Sequence, residues 1–452
     1  MATSSLPATS DGTWLQRWEP ENAGFWQSGA SGLAWRTLTI TTLNLTMAFI
    51  VWFLVSALVV RLPQIGFKFT PQQLFWLAAM PGLAGGTLRL VHMFLTPMFG
   101  TRLVVSLSTL SLLIPLVGWF YAVQDPGTPY WMLMLLAFLA GLGGGNFSSF
   151  MPSTSLFFPK RLQGTALAIQ AGIGNFGVSI VQFVTPWIIG FALMGGAAFM
   201  GDTQTLTKAG VQSQVYLQNA AAVMIPFTLV FGISGWLMLK SVPVKANFAQ
   251  QFDIFRSGHT WSMTSLYMMT FGAFSGLAAT FPLLIKQIYG GFEGAPDPLA
   301  WAFYGPLVGS AARVVAGPLS DKLGGARVTH WAGLGMLGAT LWVTTLTSPT
   351  GLESFPMFVA GMLTLFFFAG VGNASTFKQM PMLFEPRQAG GVIGFTAAIA
   401  AYGPFLFGML FAASFGSYKS ATPVFWGLAG FFALNVALNW WMYARRGAAN
   451  PC

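Results

Sequence analysis

Three basic side chains stand inside long apolar runs of this chain: Arg89 in "GGTLRLVHMF" (85–94), Arg313 in "SAARVVAGPL" (310–319) and Lys378 in "STFKQMP" (375–381). A guanidinium at the centre of a lipid-exposed helix costs at least about 2.5–3.5 kcal/mol, and it does not escape by losing its proton. The expected compensation is a carboxylate on a neighbouring segment. The acids are Asp11, Glu19, Glu21, Asp125, Asp202, Asp253, Glu293, Asp297, Asp321, Glu353 and Glu385, and all map to a terminus, a loop or the end of an apolar run. The missing negative charge is then most simply an anionic ligand. A guanidinium is a planar fork that suits planar oxyanions, so carboxylates, nitrate, nitrite and phosphate all qualify. The lack of buried acids and the scarcity of buried histidine favour a small anion with few polar groups. The competing reading has each arginine capping carbonyls or snorkelling, which requires a reach of about 12 Å. For Lys378 the two readings stand level: a third charge on the anion path, or a snorkelling side chain.

Little else in the sequence offers chemistry. The histidines are His92, His259 and His330, none at metal-ligand spacing, and the one cysteine is Cys452. No metal, cofactor or nucleophile–base pair is expected, and hence no enzyme. The glycine-rich "GLGGGN" (141–146) lies in an apolar run, where helix packing explains it better than phosphate binding. His92 follows Arg89 by three residues on nearly the same helical face. With Lys378 it is a candidate carrier for proton coupling.

The elements that position these charges follow from composition. The 452 residues are 54% hydrophobic and only 7% charged, too few charges to solvate a globular surface. Twelve runs are each near or above the ~20 residues that span a bilayer: 37–62, 73–98, 103–123, 130–158, 163–194, 215–240, 262–288, 299–321, 327–347, 356–384, 388–413 and 421–444. The expectation is an all-α membrane protein with two pseudo-symmetric bundles of six helices. Its parts are an N-terminal segment (1–36), a first bundle (37–240), a linker (241–261), a second bundle (262–446) and a tail (447–452). The first 35 residues lack the pattern of a signal peptide.

Basic residues outside the spans gather on the side holding Arg17, Arg36, Arg102, Lys160, Arg161, Lys240, Lys245, Arg256, Lys322, Arg327, Arg387, Arg445 and Arg446. Arg61, Lys68, Lys208, Lys286 and Lys419 lie on the other. This bias places both termini and the linker in the cytoplasm. The net charge of +10 therefore reads as a topology signal rather than a nucleic-acid surface.

The halves repeat. Aligning Arg89 with Arg313 sets "LRLVHMFLTPMFG" (88–100) on "ARVVAGPLSDKLG" (312–324), with Gly100 on Gly324. "AGIGNFG" (171–177) pairs with "AAIAAYG" (397–403), and "AGLGGGNFSSF" (140–150) with "AGVGNASTFKQ" (369–379). The run G-x-x-S-D-K-x-G-G-x-R from Gly317 to Arg327 resembles the loop signature of the major facilitator superfamily. "AGIGNFGVSIVQ" (171–182) resembles the glycine-rich nitrate signature of its NarK-like nitrate/nitrite porters. "WEPENAGFW" (18–26) and "GGNFSS" (144–149) fit the same family in order.

The resemblance implies the major facilitator fold, with a site between the halves, and nitrate/nitrite antiport by alternating access in a bacterial inner membrane, serving nitrate assimilation. It implies a clamp of Arg89 and Arg313, an amide donor in Asn175, and pocket walls from Phe147, Tyr267 and Phe271. Gly172, Gly174, Gly177 and Gly403 would be gating or helix-packing glycines, those of the fifth helix letting it slide against a neighbour during the switch. Alanines at 398, 400 and 401, where the family favours glycine, imply looser closure beside the eleventh span. The expected partners are small inorganic anions and the lipid bilayer, without nucleic acid, for a monomer. The alternatives are proton-coupled nitrate symport through His92 or Lys378, and a non-transporting anion receptor. A receptor is expected to carry a soluble signalling domain, and the chain closes at "ARRGAANPC" soon after the twelfth span.

Overall fold

The computed structural model describes residues 12–193, 201–208, 211–242, 253–448 and 452. Residues 243–252 of the linker, including Lys245, lie outside them. Among the described residues ten helical runs are long and apolar enough to cross a membrane. One of these, 71–122, breaks at Gly100, whose φ of 78° favours glycine. A further helix, Gly325–Thr344, completes the twelve. In chain order they are α1 (Ser31–Leu58), α2 (71–99), α3 (101–122), α4 (Tyr130–Ser155), α5 (Lys160–Ile188), α6 (Asn219–Met238), α7 (Gly258–Tyr289), α8 (Pro298–Leu323), α9 (Gly325–Thr344), α10 (Leu352–Leu383), α11 (Gly391–Tyr418) and α12 (Thr422–Ala444). The expected α-only fold gains one element: an antiparallel hairpin of β1 (Gln204–Lys208) and β2 (Val211–Val215) in the connection before α6.

The two bundles repeat in detail. The α8–α9 turn carries Gly324 at φ 89°, the counterpart of Gly100. A Cβ on Gly177 would strike the Thr46 carbonyl oxygen of α1, and one on Gly403 would strike the Gly272 carbonyl oxygen of α7. Both pairs are related by a shift of 226 residues. The same shift relates Gly144, which meets Gly85 of α2, to Gly370, which meets Gly309 of α8. The pairing of 140–150 with 369–379 drawn from sequence is therefore one helical turn out of register. The run of three glycines at 143–145 allows several alignments, and only the backbone contacts choose among them.

The halves meet along α2–α11 and α5–α8. At the end distal to the termini the contacts are dense. Arg61 forms a bidentate pair with Asp297 at 2.7 and 2.9 Å. Lys286 Nζ donates to the Val60 carbonyl at 2.8 Å, and Gln182 Nε2 to the Ala278 carbonyl at 2.9 Å. Phe75 stacks on Phe411 and Phe415. Glycines again permit the approach: a Cβ on Gly82 would strike the Phe405 backbone, and one on Gly408 would lie 2.6 Å from Ala79. Beside α11 the small residues at the interface are Gly82, Gly86 and Gly408.

At the opposite end, residues 12–30 strap the first bundle. Trp18 Nε1 donates to the Leu156 carbonyl at 3.0 Å, Leu15 N to the Ser241 carbonyl, and Glu21 accepts from Lys160 N at the start of α5. Cys452 lies under the second bundle, its carbonyl accepting from Ala326 N. Burial pushes its thiol up to about 12, so it stays protonated at neutral pH.

Candidate functional site

The site begins at the glycine contacts. Gly85 and Gly144 bring α2 and α4 together and leave a slot for the indole of Trp52; a Cβ on either glycine would lie within 2.8 Å of that ring system. Trp52 is held by donating Nε1 to the Pro81 carbonyl at 2.9 Å. One turn beyond Gly85 comes Arg89, fully buried. Its guanidinium carbon lies 5.2 Å from the Trp52 ring centroid, 4.6 Å from Phe147 and 5.2 Å from Phe271. Three aromatic faces thus partly replace the lost hydration of the cation. Nε donates to the Gly144 carbonyl and Nη1 to the Ala397 carbonyl of the other bundle, both at 2.8 Å. Nη2 is buried with no partner.

The second bundle repeats the arrangement with changes. Gly309 and Gly370 bring α8 and α10 together, and Arg313 follows Gly309 by the same turn. Arg313 is 5% exposed; its guanidinium carbon lies 5.4 Å from the Phe377 ring, and Nη1 is buried without a partner. Tyr267 of α7 stacks on Phe271 at 5.4 Å and packs against Phe377 at 5.2 Å. Its hydroxyl lies beside Arg313, short of a well-formed hydrogen bond. Phe147 and Phe271 close the gap between the bundles with ring centroids 6.4 Å apart.

Asn175 of α5 is fully buried, and neither its amide nitrogen nor its oxygen has a partner. No carboxylate among the described residues pairs with Arg89 or Arg313. A buried donor without a partner costs about 1–3 kcal/mol, so such a set requires an explanation. An oxyanion is the kind of group that would supply one, since it accepts from guanidinium, phenol and amide donors alike.

The structure thus brings Arg89, Arg313, Tyr267, Phe147 and Phe271 into one cluster. It takes Lys378 elsewhere. Lys378 Nζ pairs with Asp321 at 2.6 Å, and both side chains are exposed. This position outside the arginine cluster is the one that snorkelling expects. Among the proposed gating or helix-packing glycines, only Gly172 faces the other bundle, at Val314 of α8. Gly174 packs on Leu45 of α1, and Gly177 and Gly403 pack inside their own bundles. His92 Nδ1 bonds Ser149 Oγ at 2.9 Å.

Sequence reasoning missed Trp52, Phe377 and the Ala397 carbonyl. With 43 phenylalanines and 17 tryptophans, no aromatic stands out by type, and a backbone acceptor carries no sequence signal.

Comparison with known proteins fits this geometry. Residues 39–350 match the family model described as Major Facilitator Superfamily. The chain is 63% identical to the probable nitrate/nitrite antiporter NarK2 of Thermus thermophilus, covering 98% of this chain and 99% of that one. It is 37% identical to the nitrate/nitrite transporter NarU of Salmonella typhimurium, covering 96% of each. It is 28% identical to the nitrite extrusion protein of Bacillus subtilis, covering 90% of this chain and 94% of that one. Among solved structures, a bacterial homologue of the human lysosomal transporter Spinster, in an inward-facing and occupied conformation, superposes with a TM-score of 0.65. It shares 13% identity over 89% of this chain and 95% of that one, which speaks for the fold alone. The chain belongs to the major facilitator superfamily and, within it, to the NarK-like nitrate/nitrite porters.

Proposed function

We propose that this protein exchanges nitrate and nitrite across a bacterial plasma membrane, its termini in the cytoplasm, by alternating access around an anion held between Arg89 and Arg313. The observation that carries this reading is the pair of buried guanidinium groups, one per bundle, each with an unpartnered N–H and neither with a carboxylate. The names of the relatives supply the identity of the anions. To expose the site on the distal side, the bundles separate there and break Arg61–Asp297 and Lys286–Val60. Passing between states with no anion leaves two cations desolvated and unpaired, which is costly. A bound anion removes part of that cost, so exchange is favoured over net flux.

Proton coupling finds less support. Ser149 Oγ already donates to the Asn146 carbonyl, so His92 Nδ1 carries the hydrogen in their shared bond and sits in a closed local network. Lys378 is spent on Asp321 at the surface.

The test is counterflow in proteoliposomes holding the purified protein. Internal nitrite should accelerate uptake of labelled nitrate at least about tenfold over empty vesicles, while chloride and phosphate do not. Equal uptake into empty vesicles under an inward proton gradient would sink exchange and favour symport. No uptake under any gradient, with nitrate still bound, would favour a receptor.

A further inference from the structure

One buried polar side chain in the second bundle is not explained by the clamp. Asn373 of α10 is fully buried, and neither its amide nitrogen nor its oxygen has a partner. Its neighbours along the helix fix where it faces. Gly370, three residues before it, lies against Gly309 of α8. Phe377, four residues after it, lies under Arg313 and against Tyr267. Residues three and four apart share a helix face, so Asn373 sits on the face of α10 turned to α8 and α7. The helix heights agree: Arg313 is one turn past Gly309, and Asn373 is one turn past Gly370. Of the polar groups that follow it, Ser375 and Gln379 reach Thr329 of α9, and Thr376 is already bonded to Thr270 of α7.

The repeat sharpens the point. The shift of 226 residues that relates Gly144 to Gly370 relates Phe147 to Asn373. In the first bundle this position holds an aromatic ring 4.6 Å from the arginine. In the second it holds an amide with both ends open, and the ring under Arg313 comes instead from Phe377, one turn on. The site is therefore asymmetric: three aromatic faces at Arg89, one aromatic face and an open amide on the Arg313 side.

We infer that Asn373 is an anion-contacting residue that donates its amide N–H to the bound oxyanion beside Arg313 and favours nitrate over nitrite. This rests on the exchange reading above. The chemistry follows from counting oxygens. Nitrite has two, which the free N–H groups of Arg89 and Arg313 can satisfy. Nitrate has a third, which takes its donors from the open Tyr267 hydroxyl and the open amides, Asn373 among them. A site built to hydrogen-bond a group discriminates against the analogue lacking it, because its own polar atom is then left unpaired.

The test compares wild type, Asn373→Ala and Asn373→Asp in counterflow, with half-saturating concentrations of nitrate and nitrite measured separately. Removing one hydrogen bond to a charged partner should raise the nitrate value about tenfold and the nitrite value less than threefold. Asn373→Asp keeps the shape but places a carboxylate beside Arg313, and should abolish uptake of both anions. Both half-saturating concentrations within twofold of wild type in Asn373→Ala would overturn the inference and leave the amide to water or packing.

Asn373→Ser, which is smaller but polar, serves if the alanine variant does not fold. Binding is read independently from the rise in melting temperature on adding sodium nitrate against sodium chloride. A wild type that shows the rise without counterflow refutes exchange and leaves Asn373 to be judged by whether Asn373→Ala loses the rise. A wild type that shows neither refutes both.

Discussion

Arg89→Lys and Arg313→Lys are each expected to reduce nitrate/nitrite counterflow by about 100-fold or more, with the protein still folded and inserted. The reason lies in how the Arg89 fork is divided. Nε is tied to Gly144, Nη1 to Ala397 across the bundle interface, and only Nη2 is free. A lysine ammonium is a compact point charge without this planar set of donors. It cannot hold both carbonyls and still point a hydrogen at the anion. Losing a charge-assisted bond to a ligand costs about 1.5–3 kcal/mol, which is one to two powers of ten, and release of the two carbonyls adds to it. Arg313 should show the same loss, since its Nη1 is likewise free. The measurement is initial counterflow rate against nitrate concentration at matched protein per vesicle. Near-wild-type rate and half-saturation in either variant would remove the clamp.

The second large effect separates glycines that hold a bundle from the one that faces across it. Gly177→Ala and Gly403→Ala each place a methyl against a backbone carbonyl of the neighbouring helix. Backbone cannot turn aside as a side chain can, and overpacking of this kind costs about 1–3 kcal/mol. The melting temperature in detergent should fall by about 5 °C for each. Gly172→Ala meets the tip of Val314 on the other bundle, so it should keep its melting temperature and slow exchange severalfold. Gly338→Ala, with nothing within 4 Å of the new methyl, is the silent control. A cold-sensitive or unfolded Gly172→Ala beside a stable Gly177→Ala would reverse this assignment.

Much of this was legible in the sequence, for a physical reason. A charge in a long apolar run is so costly that its presence is a strong signal, and Arg89 and Arg313 announced both the repeat and its depth. The turn glycines at 100 and 324 were legible too, because a positive φ narrows the choice of residue. Lys378 was not legible. Position along a helix does not say which face a side chain takes, and a four-carbon stem on the right face reaches Asp321. Which neighbours Gly174, Gly177 and Gly403 pack on was not legible for a related reason. A glycine-rich stretch marks close approach but not the partner, and α5 presents one face to α1 and another to α8. Asn373 lay inside a quoted repeat segment, and a register one turn out hid that it occupies the position of Phe147.

The measurement that bears most directly on the central claim is a structure of the full chain determined with nitrite and then with nitrate. Anion density should lie between the two bundles, within about 3 Å of both Arg89 Nη2 and Arg313 Nη1, under the rings of Phe147 and Phe271. Density at only one arginine, or at a place that touches neither, would contradict the account.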